Sequence, residues 1–314
     1  MIAIVLKRLG MAVPALFGVS IVIFLLINVL PGDPLAGLLA PDATPADRAV
    51  LAKQLGLDEP LPVQYVHWLI NVSQGNLGES FSRHRSVADL IKNAFTNTLI
   101  LASAAAMVGL ATGLLLGIVA ALKAGSPADR FISAVSTMGL SVPSYWLAIL
   151  LIIIFSATLK WLPSAGMHGI DGDTIDFLKH LVMPSIATSA VTVGMVAKTT
   201  RSSLIETFGD DFVLTLRAKG LGSGQILMHV IKNAAPAIMT MAGLQVGYLL
   251  GGSVLVETIF SWPGLGLLIF QSIQSRDLRV IQASVLVIAV TFVLVNLVVD
   301  LLQTLVNPRL RRAN

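Results

Sequence analysis

Long apolar runs separated by polar segments make up most of this chain. The hydrocarbon layer of a membrane is about 30 Å thick, so a crossing helix needs roughly 20 mostly apolar residues. Six charge-poor stretches are candidates: Leu9 to Leu30, Leu99 to Leu122, Phe131 to Leu159, Leu181 to Ala197, Ala237 to Val256 and Val280 to Val306. The pattern predicts one all-α integral membrane domain over residues 1–314 with six transmembrane helices.

Two polar segments interrupt the pattern. Residues 31–97 carry Pro41, Pro45, Pro60 and Pro62 as breakers, then Val63 to Val72 with Tyr65, Trp68 and Leu69 at helical spacing. A small extracytoplasmic cap is expected there, with an amphipathic helix at the membrane surface. Its aromatics serve as interfacial anchors or as a ledge for a partner. Residues 198–236 place Phe212, Leu216, Ile226, Leu227, Val230 and Ile231 among charges. A short helix, a turn from Gly220 to Gly224 and a second helix are expected on the cytoplasmic side, able to lie on the membrane or insert into a groove of a soluble protein.

Composition excludes a soluble domain: 55% hydrophobic and 12% charged residues leave too little polar surface. Charge placement sets orientation. The ends together with 122–130 and 198–236 hold twelve Lys/Arg against four Asp/Glu, whereas 31–98, 160–180 and 257–279 hold nine against twelve. Positive segments stay in the cytoplasm, so both termini are expected inside and the net charge of +4 is a topology signal, not one for nucleic acid. Lys7-Arg8 and the run after it look at first like a signal peptide. That run is too long and ends in Leu30-Pro31-Gly32-Asp33-Pro34 without a small-x-small site, so an uncleaved first helix is expected. The lack of cysteine fits a protein with one face in an oxidising compartment.

Within the spans, Gly109, Gly113 and Gly117 recur every fourth residue, as do Gly243, Gly247 and Gly251. Each set lines one helix face and invites close packing. Pro143 removes a helix hydrogen bond in the third span and is expected to kink it. Ser185, Thr188, Ser189 and Thr192 form one hydroxyl stripe on the fourth span. Such a stripe either lines a wet path, with Gln245 of the fifth span as a further candidate, or bonds neighbouring helices.

The chemistry of an enzyme is missing from the sequence. No G-x-x-x-x-G-K-[ST] loop, H-E-x-x-H pair or G-x-S-x-G elbow occurs, and His67, His84, His168, His180 and His229 are scattered without metal-ligand spacing. Self-powered transporters place titratable groups within their spans. Here Glu257 and Asp300 sit near helix ends, and Gln245 and Asn296 do not titrate. The expectation is a transport protein with no cofactor of its own, driven from outside.

Arg217-Ala218-Lys219-Gly220-Leu221 resembles the cytoplasmic coupling motif of permease subunits of bacterial ABC importers, in the form found in the peptide and nickel group. Leu214, Thr215 and Leu216 stand where its general form has an acidic residue and two alanines. Leu30 to Pro34, Leu55-Gly56-Leu57-Asp58-Glu59-Pro60 with Gln64-Tyr65, Gly243-Leu244-Gln245-Val246-Gly247, Glu257 to Gly266 and Asn307-Pro308-Arg309 follow in the family's order. Together they resemble the first of the two permeases of a dipeptide or oligopeptide importer.

The resemblance implies a type I permease fold in the bacterial inner membrane. It implies a second permease forming the other half of the path, two ATPase subunits carrying ATP and Mg, and an extracytoplasmic binding protein. It assigns coupling to Asp211, Phe212, Thr215, Arg217, Ala218, Lys219, Gly220 and Leu221. Pro31, Gly32, Asp33, Pro34, Trp262, Pro263 and Gly264 are turn-forming residues expected at the outer rim. A nickel or glutathione permease is the rival within the family. A self-contained channel or ion-coupled carrier is the rival outside it.

Overall fold

In the computed structural model of the protein, residues 2–29, 44–54, 56, 58–167 and 173–306 are described. Helices account for nearly all of them, in the order α1 (Ile2–Val29), α2 (Pro45–Gln54), α3 (Leu61–Ser73), α4 (Val87–Leu122), α5 (Pro127–Ser141), α6 (Ser144–Leu151), α7 (Thr174–Phe208), α8 (Asp211–Ala218), α9 (Ser223–Gly252), α10 (Val254–Ile259), α11 (Leu265–Gln274) and α12 (Leu278–Val306). Among the described residues α4, α7, α9 and α12 are each long and apolar enough to cross a membrane, Pro127–Ser141 and Ser144–Thr158 together form a bent pair that is either a broken fifth span or a re-entrant loop, and Ala12–Leu25 of α1 is a shorter apolar stretch. Each of the six expected spans overlaps one of these helices over its described residues, but only four or five of them reach membrane-crossing length.

The third span differs most from expectation. A kink at Pro143 is replaced by a break: α5 ends at Ser141, Val142 and Pro143 are both extended, and the next helix leaves at 104°. Proline disfavours helical dihedrals in the residue before it as well as removing its own N–H. Two successive residues therefore leave the helix, and Pro143 then becomes the N-cap of α6. Beyond α6 the chain continues as a π-helical stretch, Ile152–Thr158.

The second span also begins earlier than hydropathy indicated. Its helix starts at Val87, and Val87, Leu90, Ile91 and Ala94 bury against Leu265 and Leu268 of α11 and Val280 and Ala283 of α12. Polar residues such as Lys92 and Asn93 occupy the other face of these turns, so mean hydropathy hides them while tertiary packing stabilises them.

The centre of the fold is the α4–α7 pair. A Cβ on Gly109 would lie 2.8 Å from Thr192 Cγ2 and 3.3 Å from Ser189 Cβ; one on Gly113 would lie 2.8 Å from Val196 Cβ; one on Gly117 would lie 2.7 Å from the Ala197 carbonyl oxygen. The first glycine ladder is thus the surface on which α7 lies. The second ladder is used in part. Gly243 meets Val299 and Gly247 meets Phe292 of α12, whereas Gly251 faces open space.

The described part of the cap is fastened to α1. Tyr65 and Trp68 of α3 cluster with Phe17 and Phe24 of α1, with ring centroids 5.4–6.0 Å apart, and the Tyr65 hydroxyl bonds Ser20 Oγ at 2.8 Å. These aromatics therefore pack inside the chain, which neither sequence reading of them foresaw.

Candidate functional site

The inner end of the helical bundle is built around α8. This helix is only eight residues long, too short to persist alone in water. It is held by apolar contact: Phe212, Val213 and Leu216 join a core formed by Ala121 of α4, Leu204, Ile205 and Phe208 of α7, and Ile226, Val230 and Ala234 of α9. α8 thus shares one core with three long helices.

The helix ends in a defined turn. Gly220 N–H bonds the Arg217 carbonyl at 2.9 Å and Leu221 N–H bonds the Leu216 carbonyl at 3.2 Å, the paired hydrogen bonds of a Schellman motif. Leu221 and Leu216 pack on the same core, supplying the apolar contact that accompanies such turns. Gly220 takes φ +77°, where a side chain is strained, yet a Cβ there would meet nothing within 4 Å. The glycine is required by backbone conformation and leaves free space in front of it.

The residues singled out from the sequence divide between two faces. Asp211, Thr215, Arg217, Ala218, Lys219 and Gly220 are exposed, as is Leu214 at 62%. Phe212 and Leu221 are partly buried and turn toward the core. The expected second helix is not separate: it is the start of α9, continuous with the fifth span through Pro236.

The sequence did not single out the ion pair beside this site. Arg201 of α7 donates through Nε and Nη2 to the two carboxylate oxygens of Asp129 at 2.6 and 2.8 Å, and Gly125 N–H donates to the same carboxylate at 2.9 Å. Asp129 is only 3% exposed. A bidentate guanidinium–carboxylate pair fixes orientation as well as distance, so the start of α5 is locked to α7 about two turns before α8 follows. The available signal was charge: Asp129 is one of only four acids on the inner side.

The hydroxyl stripe lies within the bundle. Ser185, Thr188, Ser189 and Thr192 are all buried; the first three donate to carbonyls of their own helix, and Thr192 donates to Gln245 Oε1 at 3.4 Å. Only Thr192 bonds a neighbouring helix, and Ser189 and Thr192 pack on Gly109 of α4.

At the outer end, Pro31, Gly32, Asp33 and Pro34 lie outside the described residues. The other half of the expected rim centres on Glu257 of α10, which is fully buried. Its carboxylate accepts from the Thr98 and Ser253 hydroxyls at 2.9 Å each, from Gly266 N–H at 2.7 Å and from Leu267 N–H. It therefore holds the first turn of α11, where amide donors are otherwise unpaired. Gly264 and Gly266 leave room for it: a Cβ on Gly264 would lie 2.6 Å from both Glu257 Cδ and Thr98 Oγ1, and one on Gly266 would strike the Val254 backbone. Trp262 is buried and donates through Nε1 to the Asn97 carbonyl at 2.9 Å, while Pro263 is exposed. The sequence reading set Glu257 aside as a helix-end residue, although an acid flanked by apolar runs is itself a signal.

Asp277, just before α12, accepts from the hydroxyls of Ser80 and Ser82 and from Ser82 N–H, tying the cap's loop between α3 and α4 to the last span. Burial works against its ionisation, but these donors outweigh it and hold the carboxyl below the usual carboxylate range.

Two family models together match nearly the whole sequence: "Binding-protein-dependent transport system inner membrane component" over residues 113–312 and "Binding-prot-dependent transport system membrane comp, N-term" over residues 1–102. The chain is 38% identical to the di/tripeptide transport system permease protein DppB of Pseudomonas aeruginosa (strain UCBPP-PA14), over 99% of each chain. It is 39% identical, again over 99% of each, to the glutathione transport system permease protein GsiC of Escherichia coli (strain K12). A solved structure titled as inward-facing conformations of the MetNI methionine ABC transporter shares the fold, with a TM-score of 0.58 at 17% identity, covering 69% of this chain and 96% of that one. The chain belongs to the family of inner-membrane components of binding-protein-dependent transport systems, and is a multi-pass permease subunit of an ABC importer, not itself an enzyme.

Proposed function

We propose that this permease forms half of a translocation path for dipeptides or oligopeptides, paired with a second, similar permease. Two ATPase subunits, holding ATP and Mg, bind at α8, and an extracytoplasmic binding protein delivers substrate at the outer rim. The observation that carries the coupling role is the division of α8 into two faces. One is anchored in the core of α4, α7 and α9; the other presents Leu214, Arg217 and Lys219 beside the open space at Gly220.

When ATP draws the two ATPase subunits together, a push on α8 passes into α7 through Val213 and Leu216, and from α7 into α5 through the Arg201–Asp129 pair. The path then alternates between openings on the two sides. Substrate of the peptide class is supported by full-length similarity to the di/tripeptide relative, and similarity to the glutathione relative points the same way, because glutathione is itself a modified tripeptide.

The test is reconstitution of the full complex carrying Gly220→Trp. That variant is expected to insert normally and to lose the stimulation of ATP hydrolysis by loaded binding protein. Normal peptide uptake by it would refute the coupling role of this turn. Because the chain has no cysteine, Leu214→Cys provides a second measurement, a cross-link to an ATPase subunit. Sustained transport by the permease alone would favour a self-contained carrier instead.

A further inference from the structure

Beneath the cap, between α3 and the start of α12, lies a cavity of about 370 Å³ that the transport reading leaves without a role. Its size falls in the about 300–1,000 Å³ range of small-molecule sites. Its lining combines an acid, Glu59, and a guanidinium, Arg279, with the amides of Gln64, Asn71 and Gln282 and the indole of Trp68.

Two features set this cavity apart from ordinary packing. The Glu59 side chain is 37% exposed, but its Oε2 is buried with no hydrogen-bond donor, and its nearest cationic group is His67 Nδ1 at 3.1 Å, a charge partner only when the imidazole is protonated. Arg279 is half-buried, with its guanidinium 4.3 Å over the Phe81 ring, and among the described residues no carboxylate lies within 4 Å of it. A buried acceptor without a donor costs free energy that a ligand can recover. Asp277 and Glu79 attract the Arg279 charge from further off, but a guanidinium held over a ring with no carboxylate within 4 Å keeps its donors for an incoming anion.

We propose that this cavity binds a small zwitterion, its ammonium group bonded to Glu59 and its carboxylate or phosphate to Arg279. A short peptide and the headgroup of phosphatidylethanolamine both carry that pair of charges, and the cavity touches both the cap and Phe24 of α1. The proposal does not depend on what the path carries.

The experiment uses the full chain in nanodiscs of phosphatidylglycerol, which lacks an ammonium group, titrated with alanyl-alanine and read by tryptophan fluorescence. Trp68 lines the cavity, and Trp68→Phe identifies its share of the signal. Saturable binding is expected, weakened at least tenfold when the dipeptide is N-acetylated or C-amidated, and likewise in Glu59→Gln and Arg279→Gln. The blocked dipeptides test the wild-type chain, so that arm is independent of whether the variants fold. In a second arm, mixed-lipid nanodiscs are examined by native mass spectrometry. Phosphatidylethanolamine retained by the wild type and lost by both variants supports the site with a lipid occupant. Binding of neither zwitterion, or binding indifferent to blocking and to both substitutions, overturns the proposal.

Discussion

Two glycine-containing turns at opposite ends of the molecule are built on different physics. At the outer rim, Gly264 and Gly266 are crowded: Glu257, Thr98 and the Val254 backbone occupy the space a side chain would need. At the inner turn, Gly220 has nothing within reach, and only its φ of +77° demands glycine. A packed turn holds a fixed shape within the chain. An open turn with an enforced backbone keeps its surface for a partner. The rim is thus a structural clamp around a buried carboxylate, and the inner turn, under the coupling role proposed above, is the surface offered to an ATPase subunit.

The largest effect is expected from Gly266→Val, because the added atoms meet backbone at Val254 instead of the tip of a flexible side chain. A loss beyond about 3 kcal/mol, the upper part of the overpacking range, should appear as failure to recover monodisperse protein. Recovery in normal yield would show that the rim yields easily and would dissolve the contrast. Glu257→Gln keeps the volume but puts an N–H₂ where an acceptor is needed. One of the donors now paired to the carboxylate loses its partner, at a cost of about 1–3 kcal/mol, read as a lower unfolding temperature in detergent.

Gly220→Ala meets no clash and should cost about 1–2 kcal/mol of left-handed strain. Its mark is a fall in substrate-stimulated ATPase activity of the complex with the amount of membrane-inserted protein unchanged. Gly220→Asn, which tolerates that backbone better, should be milder. A ranking with asparagine worse than alanine would mean that the turn is limited by space, as the rim is.

The smallest effect concerns the tie between the cap's α3–α4 loop and α12. The Asp277 carboxyl lies below its usual range in the folded protein. Its stabilising contribution is therefore full above the unfolded carboxylate value of about 3.9 and is lost as pH falls through the folded value. The difference in thermal stability between wild type and Asp277→Asn should stay constant from about pH 7 to 5 and shrink below about pH 4. A difference shrinking already near pH 6 would mean that the hydroxyl cluster does not hold the charge.

Much of this architecture was readable from residue order alone. Membrane-length apolar runs, the basic inner segments and the α8–Gly220 turn follow from local rules: hydrocarbon thickness, charge bias and the conformational freedom of glycine. Tertiary structure decided what each feature meets. The glycine ladder of α4 and the hydroxyl stripe of α7 were each visible, but hydropathy and spacing are properties of one helix at a time. Only the fold shows Gly109 against Thr192 and Ser189. Pro143 announced a disturbance, while its 104° outcome depended on where α6 could pack, with Ala148 and Leu151 buried against Met183 and Ala187 of α7. Glu257 shows the limit most plainly. Its four donors come from α4, the start of α10 and the first turn of α11, and a carboxylate's partners across such separations are set by chain packing, which no local pattern encodes.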